Sequence, residues 1–241
     1  MTGRIALSAV LPTYDESRNI IPLLERLEAS LRHLPYEVVV VDDDSPDGTA
    51  GLVAAYAAGH PAVKLVERRG VRGLCSAIQE GVDRSVGEAV VWMDCDLSMP
   101  PELVPDLHRA LEHADVAVGS RYVAGGVDAR ADVPLHRAFS RVLNLFIRAV
   151  LGPEIADYTS GFVCAKRAVL SEHRLAGDYG EYCIDFLHRA RKRGFRIVEV
   201  PYRNTPRAHG ASKTASGALG LVARGWPYVL ATIRLRMQSG R

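Results

Sequence analysis

Cysteine is sparse and unpaired in this sequence: Cys75, Cys95, Cys164 and Cys183 form no CxxC pair, and no histidine stands at zinc-ligand spacing from them. That excludes a disulfide framework and a structural zinc site, and a reducing cytoplasm is the compartment expected. Long apolar runs are missing too. The stretch from Ile5 to Leu11 is far too short for a signal-peptide core with its cleavage site, or for a membrane span. Acidic residues are absent from the C-terminal end: nothing acidic follows Glu199, whereas Arg203, Arg207, Lys213, Arg224, Arg234, Arg236 and Arg241 do. The net charge of +2 hides this basic end. Internal repeats and low-complexity linkers are also lacking. With 48% apolar residues the composition excludes disorder, and 241 residues suit one large α/β domain.

Short apolar runs, several of them β-branched, recur at Ile5–Leu11, Tyr36–Val41, Val63–Val66, Ala89–Met93 and Val116–Gly119, with helix-like stretches between them. The alternation predicts βαβ units and a mostly parallel sheet flanked by helices. A first helix is expected over Ser17–His33, with Ser17 as N-cap and Ile20, Leu23, Leu24, Leu27 and Leu31 on one face. Another is expected to start at Pro101, whose fixed φ suits a first turn. The second half is less regular. It reads as a polar loop over 121–135, an amphipathic helix over Pro134–Leu151, strands at Gly161–Lys166 and Ile197–Pro201, and a helix near Tyr182–Arg193. A basic loop over 202–215 is long enough to suggest function.

Ligands of open parallel sheets sit outside the carboxyl ends of the strands. Three predicted strands end in chemically loaded residues: Pro12–Glu16, Asp42–Gly48 and Asp94–Cys95–Asp96. If the backbone turns after Met93, Asp94 and Asp96 face one pocket and can share a hard cation, Mg²⁺ or Mn²⁺, with phosphate oxygens. A plainer alternative has Asp96 starting a turn or capping the next helix while Asp94 is solvated. Asp43 is placed to accept hydrogen bonds from a base or ribose. Repulsion within Asp42–Asp43–Asp44 calls for a metal or an Arg or Lys nearby.

Taken together, Pro12-Thr13-Tyr14-Asp15-Glu16, the Asp42–Thr49 segment, Asp94-Cys95-Asp96-Leu97-Ser98-Met99-Pro100-Pro101-Glu102 and Gly119-Ser120-Arg121-Tyr122 come in the order and spacing of the dolichyl- or polyprenyl-phosphate mannosyltransferases. These are family 2 glycosyltransferases with a GT-A fold. The likeness continues through Asp157–Phe162, Val198–Pro201 and Arg207–Lys213, so it spans nearly the whole chain. The resemblance implies that Pro12, Tyr14, Glu16, Val41 and Asp43 line a nucleotide pocket. It implies that Asp94, Cys95 and Asp96 meet the diphosphate, with Asp94, Asp96 and Ser98 around the metal. Arg121, Arg207 and Lys213 would contact phosphates or sugar, the last two from a mobile loop. Cys95 stands where the family commonly has Ala, Ser98 where some relatives have Gln, and Cys75 where Gly is usual.

The implied reaction is inverting transfer, most simply of mannose from GDP-mannose, to a polyprenyl phosphate. Arg137, Ser140 and Arg141 fall where the family's acceptor-side residues lie, though a solvated helix face explains them equally well. The alternative is a family 2 enzyme with another sugar nucleotide and a hydroxyl acceptor, for which Asp185 would serve as base; otherwise Asp185 pairs with Arg189. Residues 1–213 are expected to form the catalytic domain. Residues 214–241 read as an amphipathic basic helix that lies on a membrane surface or packs on the domain. Peripheral attachment at the cytoplasmic face of a membrane is expected, through this tail or a separate membrane subunit. No nucleic-acid partner is expected.

Overall fold

The computed structural model describes residues 4–129, 134–209 and 218–238, without the side chains of 134–136 and 218–224. Lys213 lies outside the described residues. The strands are β1 (Leu7–Thr13), β2 (Tyr36–Asp42), β3 (Val63–Glu67), β4 (Ala89–Trp92), β5 (Val116–Ser120), β6 (Val127–Asp128), β7 (Val163–Lys166), β8 (Ile197–Pro201) and β9 (Arg203–Asn204). The helices are α1 (Ile20–Leu31), α2 (Thr49–Ala57), α3 (Leu74–Arg84), α4 (Val104–Ala110, entered through a 3₁₀ turn at Pro101–Leu103), α5 (Pro134–Leu151), α6 (Arg167–Glu172), α7 (Tyr182–Lys192) and α8 (Ala218–Gln238).

Seven strands form one sheet in the order β3-β2-β1-β4-β7-β5-β8. All pairings are parallel except those of β7, which runs antiparallel to both β4 and β5. β6 and β9 pair separately in parallel. Alternation along the buried strands sorts the core into two layers. Leu7, Ala9, Leu11, Val91 and Met93 pack with α1, α2 and α4 on one face. Val10, Val90 and Trp92 pack with α3, α5, α6, α7 and α8 on the other.

Two expected boundaries move. α1 begins at Ile20 rather than Ser17, and Ser17 does not cap it: the Ser17 amide donates to Asp47 Oδ2 at 2.9 Å, while the amides of Asn19 and Ile20 turn back to the Glu16 carbonyl. β4 ends at Trp92, one residue earlier than its apolar run, because the backbone turns into the acidic segment there. The C-terminal α8 packs on α5 and α7. Gly225 lets it approach Phe139 closely, Tyr228 lies against Gly180, and Leu235 is buried in the core.

Candidate active site

The loops after β1, β2 and β4 converge at the carboxyl edge of the sheet. The described non-glycine residues with positive φ lie on these loops: Asp15 (55°), Asp44 (59°) and Leu97 (63°). Left-handed backbone is uncommon for such residues, Leu above all, and persists where the surroundings dictate it. The loops are stitched together. Cys95 Sγ contacts the Pro12 carbonyl at 3.3 Å, Ser45 Oγ accepts from the Asp15 amide at 3.0 Å, and Asp47 receives the Ser17 amide.

The triple acid of β2 resolves into three separate roles. Asp42 accepts from Thr13 Oγ1 and Ser45 Oγ at 2.8 and 2.6 Å. Asp43 accepts from Arg68 Nε and Nη2 at 2.7 and 2.9 Å and from the Gly73 amide at 2.9 Å. Asp44 is exposed. Arg68 is thus the cation that relieves the cluster, and Asp43 fixes the loop entering α3. Val41 is fully buried, with its side chain in a core cluster with Val39 and Ala77. Tyr14 is partly exposed beneath Arg72, whose guanidinium carbon lies 4.2 Å from the ring centroid, a cation–π contact. Glu16 is buried and accepts from Asn19 Nδ2 at 2.7 Å.

Asp96 is buried, accepts from the Ser98 amide at 3.0 Å through Oδ1, and forms an ion pair with Arg207, whose Nε lies 3.1 Å from Oδ2. Backbone bonds hold the Arg207 segment over this loop: the amides of Thr205 and Ala208 donate to the carbonyls of Ser98 and Asp96 at 3.0 and 3.1 Å. Among the described residues, Asp94 has no such counter-charge in contact. Burial, and then the charge of Asp96, push its carboxyl up to about 6, with Arg207 pulling the other way. A pair of carboxylates short of positive charge, with a guanidinium already drawn to one of them, fits a divalent ion completed by ligand oxygens. Among the described residues no cluster of three or more His, Cys, Asp or Glu forms a closed protein cage for a metal.

Arg121, expected to contact phosphates or sugar, is held by a protein carboxylate. It is buried and pairs bidentately with the fully buried Asp157, at 2.8 Å from Nε and 2.7 Å from Nη2, and Nη2 also reaches Thr159 Oγ1 at 2.9 Å. Such a pair is costly to break, about 3–5 kcal/mol when one partner is removed. Arg121 also lines a cleft of about 350 Å³ with Tyr122, Arg141, Asn144 and Arg148. Of the three acceptor-side candidates only Arg141 lines this cleft. Arg137 Nη1 is 3.4 Å from the Asp128 carbonyl, and Ser140 Oγ accepts from Tyr122 at 2.9 Å. Asn144 and Arg148 belong to no motif, but they follow Arg141 at i+3 and i+7 on α5, and that helical spacing is the signal that finds them. Asp185 accepts from Arg189 Nε at 2.8 Å, the i+4 pairing.

A model of glycosyl transferase family 2 matches residues 8–174. The dolichol-phosphate mannosyltransferase of Pyrococcus furiosus is 34% identical over 86% of this chain, which spans 58% of that protein's length. The polyprenol monophosphomannose synthase of Mycolicibacterium smegmatis is 37% identical over 85% of this chain and 79% of its own. Among solved structures, glucosyl-3-phosphoglycerate synthase of Mycobacterium tuberculosis, crystallised with Mn²⁺, UDP and glucosyl-3-phosphoglycerate, aligns with 97% of this chain and 80% of its own at a TM-score of 0.69 and 23% identity. That likeness bears on the fold, which is the expected GT-A arrangement of a mostly parallel sheet between two helical layers. Three loaded strand ends on such a sheet, a family match over residues 8–174, and relatives above 30% identity along most of the chain agree: this protein belongs to glycosyl transferase family 2.

Proposed function

We propose that this chain transfers a sugar, mannose from GDP-mannose, to a polyprenyl phosphate with inversion at the anomeric carbon. The observation that carries the reading is a pair of sites of opposite charge. The carboxylates of Asp94 and Asp96 stand beside Arg207, and beyond Arg121 the cleft holds Arg141 and Arg148 with no carboxylate in its lining among the described residues. The first suits a metal-bound nucleoside diphosphate, the second a phosphate monoester. The names of the Pyrococcus and Mycolicibacterium relatives, a dolichol-phosphate mannosyltransferase and a polyprenol monophosphomannose synthase, support mannose as the sugar and a polyprenyl phosphate as the acceptor.

Asp94 and Asp96 would hold Mg²⁺ or Mn²⁺, with Ser98 beside them, and the ion would supply charge neutralisation for the departing diphosphate. Pro12, Tyr14, Glu16 and Asp43 bound the nucleotide side, and Arg207 with Lys213 stabilises charge on the leaving group. The acceptor needs little activation, because a phosphate monoester with a second pKa of about 6 is already largely dianionic at neutral pH. One of its oxygens attacks the anomeric carbon while the bond from that carbon to the diphosphate oxygen breaks and the nucleoside diphosphate leaves. A hydroxyl acceptor would need a base, and Asp185 is tied to Arg189.

A lipid acceptor also calls for a membrane surface. No described helix is long and apolar enough to cross a membrane. α8 instead exposes Trp226, Leu230, Ile233 and Met237 at successive helical turns, with Arg234 and Arg236 also exposed and no acidic residue in the segment. That pattern fits an anionic bilayer surface. A screen of GDP-mannose, GDP-glucose, UDP-glucose and UDP-GlcNAc against a short polyprenyl phosphate and simple hydroxyl acceptors tests the proposal, and transfer only to hydroxyls would refute it.

A further inference from the structure

Trp92 points to the α7 side of the sheet, and Asp94, two residues beyond the end of β4, lies near the same region. There Trp92 Nε1 donates to Tyr182 Oη at 3.0 Å, and both side chains are buried. An indole nitrogen only donates, so this bond uses a lone pair of the phenol and leaves its proton to be placed elsewhere. Among the described residues the Tyr182 hydroxyl has no acceptor for that proton. Burial keeps the phenol protonated.

Gly161, which has no side chain, lies next to this hydroxyl. A Cβ added at Gly161 would lie 3.7 Å from Tyr182 Oη, 3.7 Å from Met99 Cε and 3.9 Å from Asp94 Oδ1. The niche therefore brings one unused donor and one carboxylate oxygen to a single small space. Its position in the sheet says what reaches it. The nucleotide side is built from the loops of β1 and β2, and the carboxylate pair follows β4. Gly161 and Tyr182 lie on the far side, towards β7 and α7. Beyond the diphosphate, as seen from the base, comes the sugar.

Resting on the donor reading above, we infer that Tyr182 is a specificity-determining residue that donates to a hydroxyl of the transferred sugar in a niche kept open by Gly161. The hydroxyl's own proton is then available to Asp94 Oδ1 on the opposite wall. The pair distinguishes a hydroxyl from a hydrogen at that position, because a buried donor left unpaired costs binding.

The test compares the dissociation constants of GDP-mannose and of GDP, both with Mn²⁺, so that the nucleotide part cancels. Tyr182→Phe is expected to weaken GDP-mannose about tenfold more than GDP, the loss of about one hydrogen bond. Trp92→Phe, which removes the structural partner but keeps the phenol, should leave the ratio within about twofold. Gly161→Ala fills the niche at ordinary contact distances and should again weaken only the sugar nucleotide, which decides the matter if the phenylalanine variant folds poorly. An unchanged ratio in Tyr182→Phe or Gly161→Ala, or an equal shift in Trp92→Phe, overturns the inference. Wild-type protein that binds neither ligand overturns the donor reading, and this assignment with it.

Discussion

Arg207 Nε lies 3.1 Å from Asp96 Oδ2 in an ion pair, so the residue expected to stabilise the leaving group is held on the carboxylate expected to bind the ion. Ion and guanidinium compete for one oxygen, and the ion's arrival would free Arg207 for the diphosphate. Arg207→Ala is predicted to bind Mn²⁺ at least as tightly as the wild type while its kcat falls about 10²–10³-fold, as for loss of one transition-state donor. Manganese titration by electron paramagnetic resonance alongside steady-state rates checks this. A parallel collapse of metal affinity would mean that Arg207 builds the ion site rather than competing for it.

Asp94 sets a pH dependence. Its folded-state pKa is raised to about 6, first by burial and then by Asp96, so without metal the folded protein holds this proton more tightly than the unfolded chain. This group's contribution to stability is therefore greatest below its ordinary value and is lost as pH rises through about 6. Metal binding needs the carboxylate, so Mn²⁺ affinity should fall about tenfold per pH unit below 6. Asp94→Asn should abolish that slope and raise the metal-free denaturation midpoint at pH 7. A flat Mn²⁺ affinity between pH 5 and 7 would contradict the assignment.

Arg141 and Arg148 line the cleft whose lining includes Arg121 but neither Asp94 nor Asp96, so on the proposed reading their effects should be confined to the acceptor. Arg141→Ala and Arg148→Ala are each predicted to raise the KM for polyprenyl phosphate about tenfold or more, the value of a charge-assisted hydrogen bond, with the donor KM unchanged. Equal increases in both KM values would place these side chains elsewhere in the reaction.

The apolar stripe of α8 makes a separable prediction, since its buried face already packs on α5 and α7. Trp226→Ala with Leu230→Ala should weaken sedimentation with anionic vesicles by at least tenfold at low salt and leave the melting temperature within a few degrees, because both residues are exposed. Wild-type protein that stays in the supernatant with such vesicles would remove the membrane role from this helix.

Much of this was legible in the sequence because its signals are local. Apolar runs and the acids that end them mark β1, β2 and β4 and bring three loaded loops to one edge, and the α7 and α5 boundaries follow from helical periodicity. What escaped depends on partners distant in the chain. Nothing near Asp43 announces Arg68, and nothing near Arg121 announces Asp157, 36 residues away. Ser17 has the chemistry of an N-cap, yet Asp47 takes its amide from another loop. Val41 sits within a motif, yet strand alternation turns its side chain into the core. The Tyr182–Trp92 bond spans 90 residues and leaves no local trace.

The central claim is metal-dependent transfer from a sugar nucleotide to a phosphate monoester. The most direct measurement incubates the protein with Mn²⁺, GDP-mannose and a short polyprenyl phosphate and determines the product by nuclear magnetic resonance, with and without EDTA. The account predicts a mannosyl phosphodiester of anomeric configuration opposite to the donor's, lost with EDTA and in Asp96→Asn. A product with retained configuration, or equal transfer in EDTA, would contradict it.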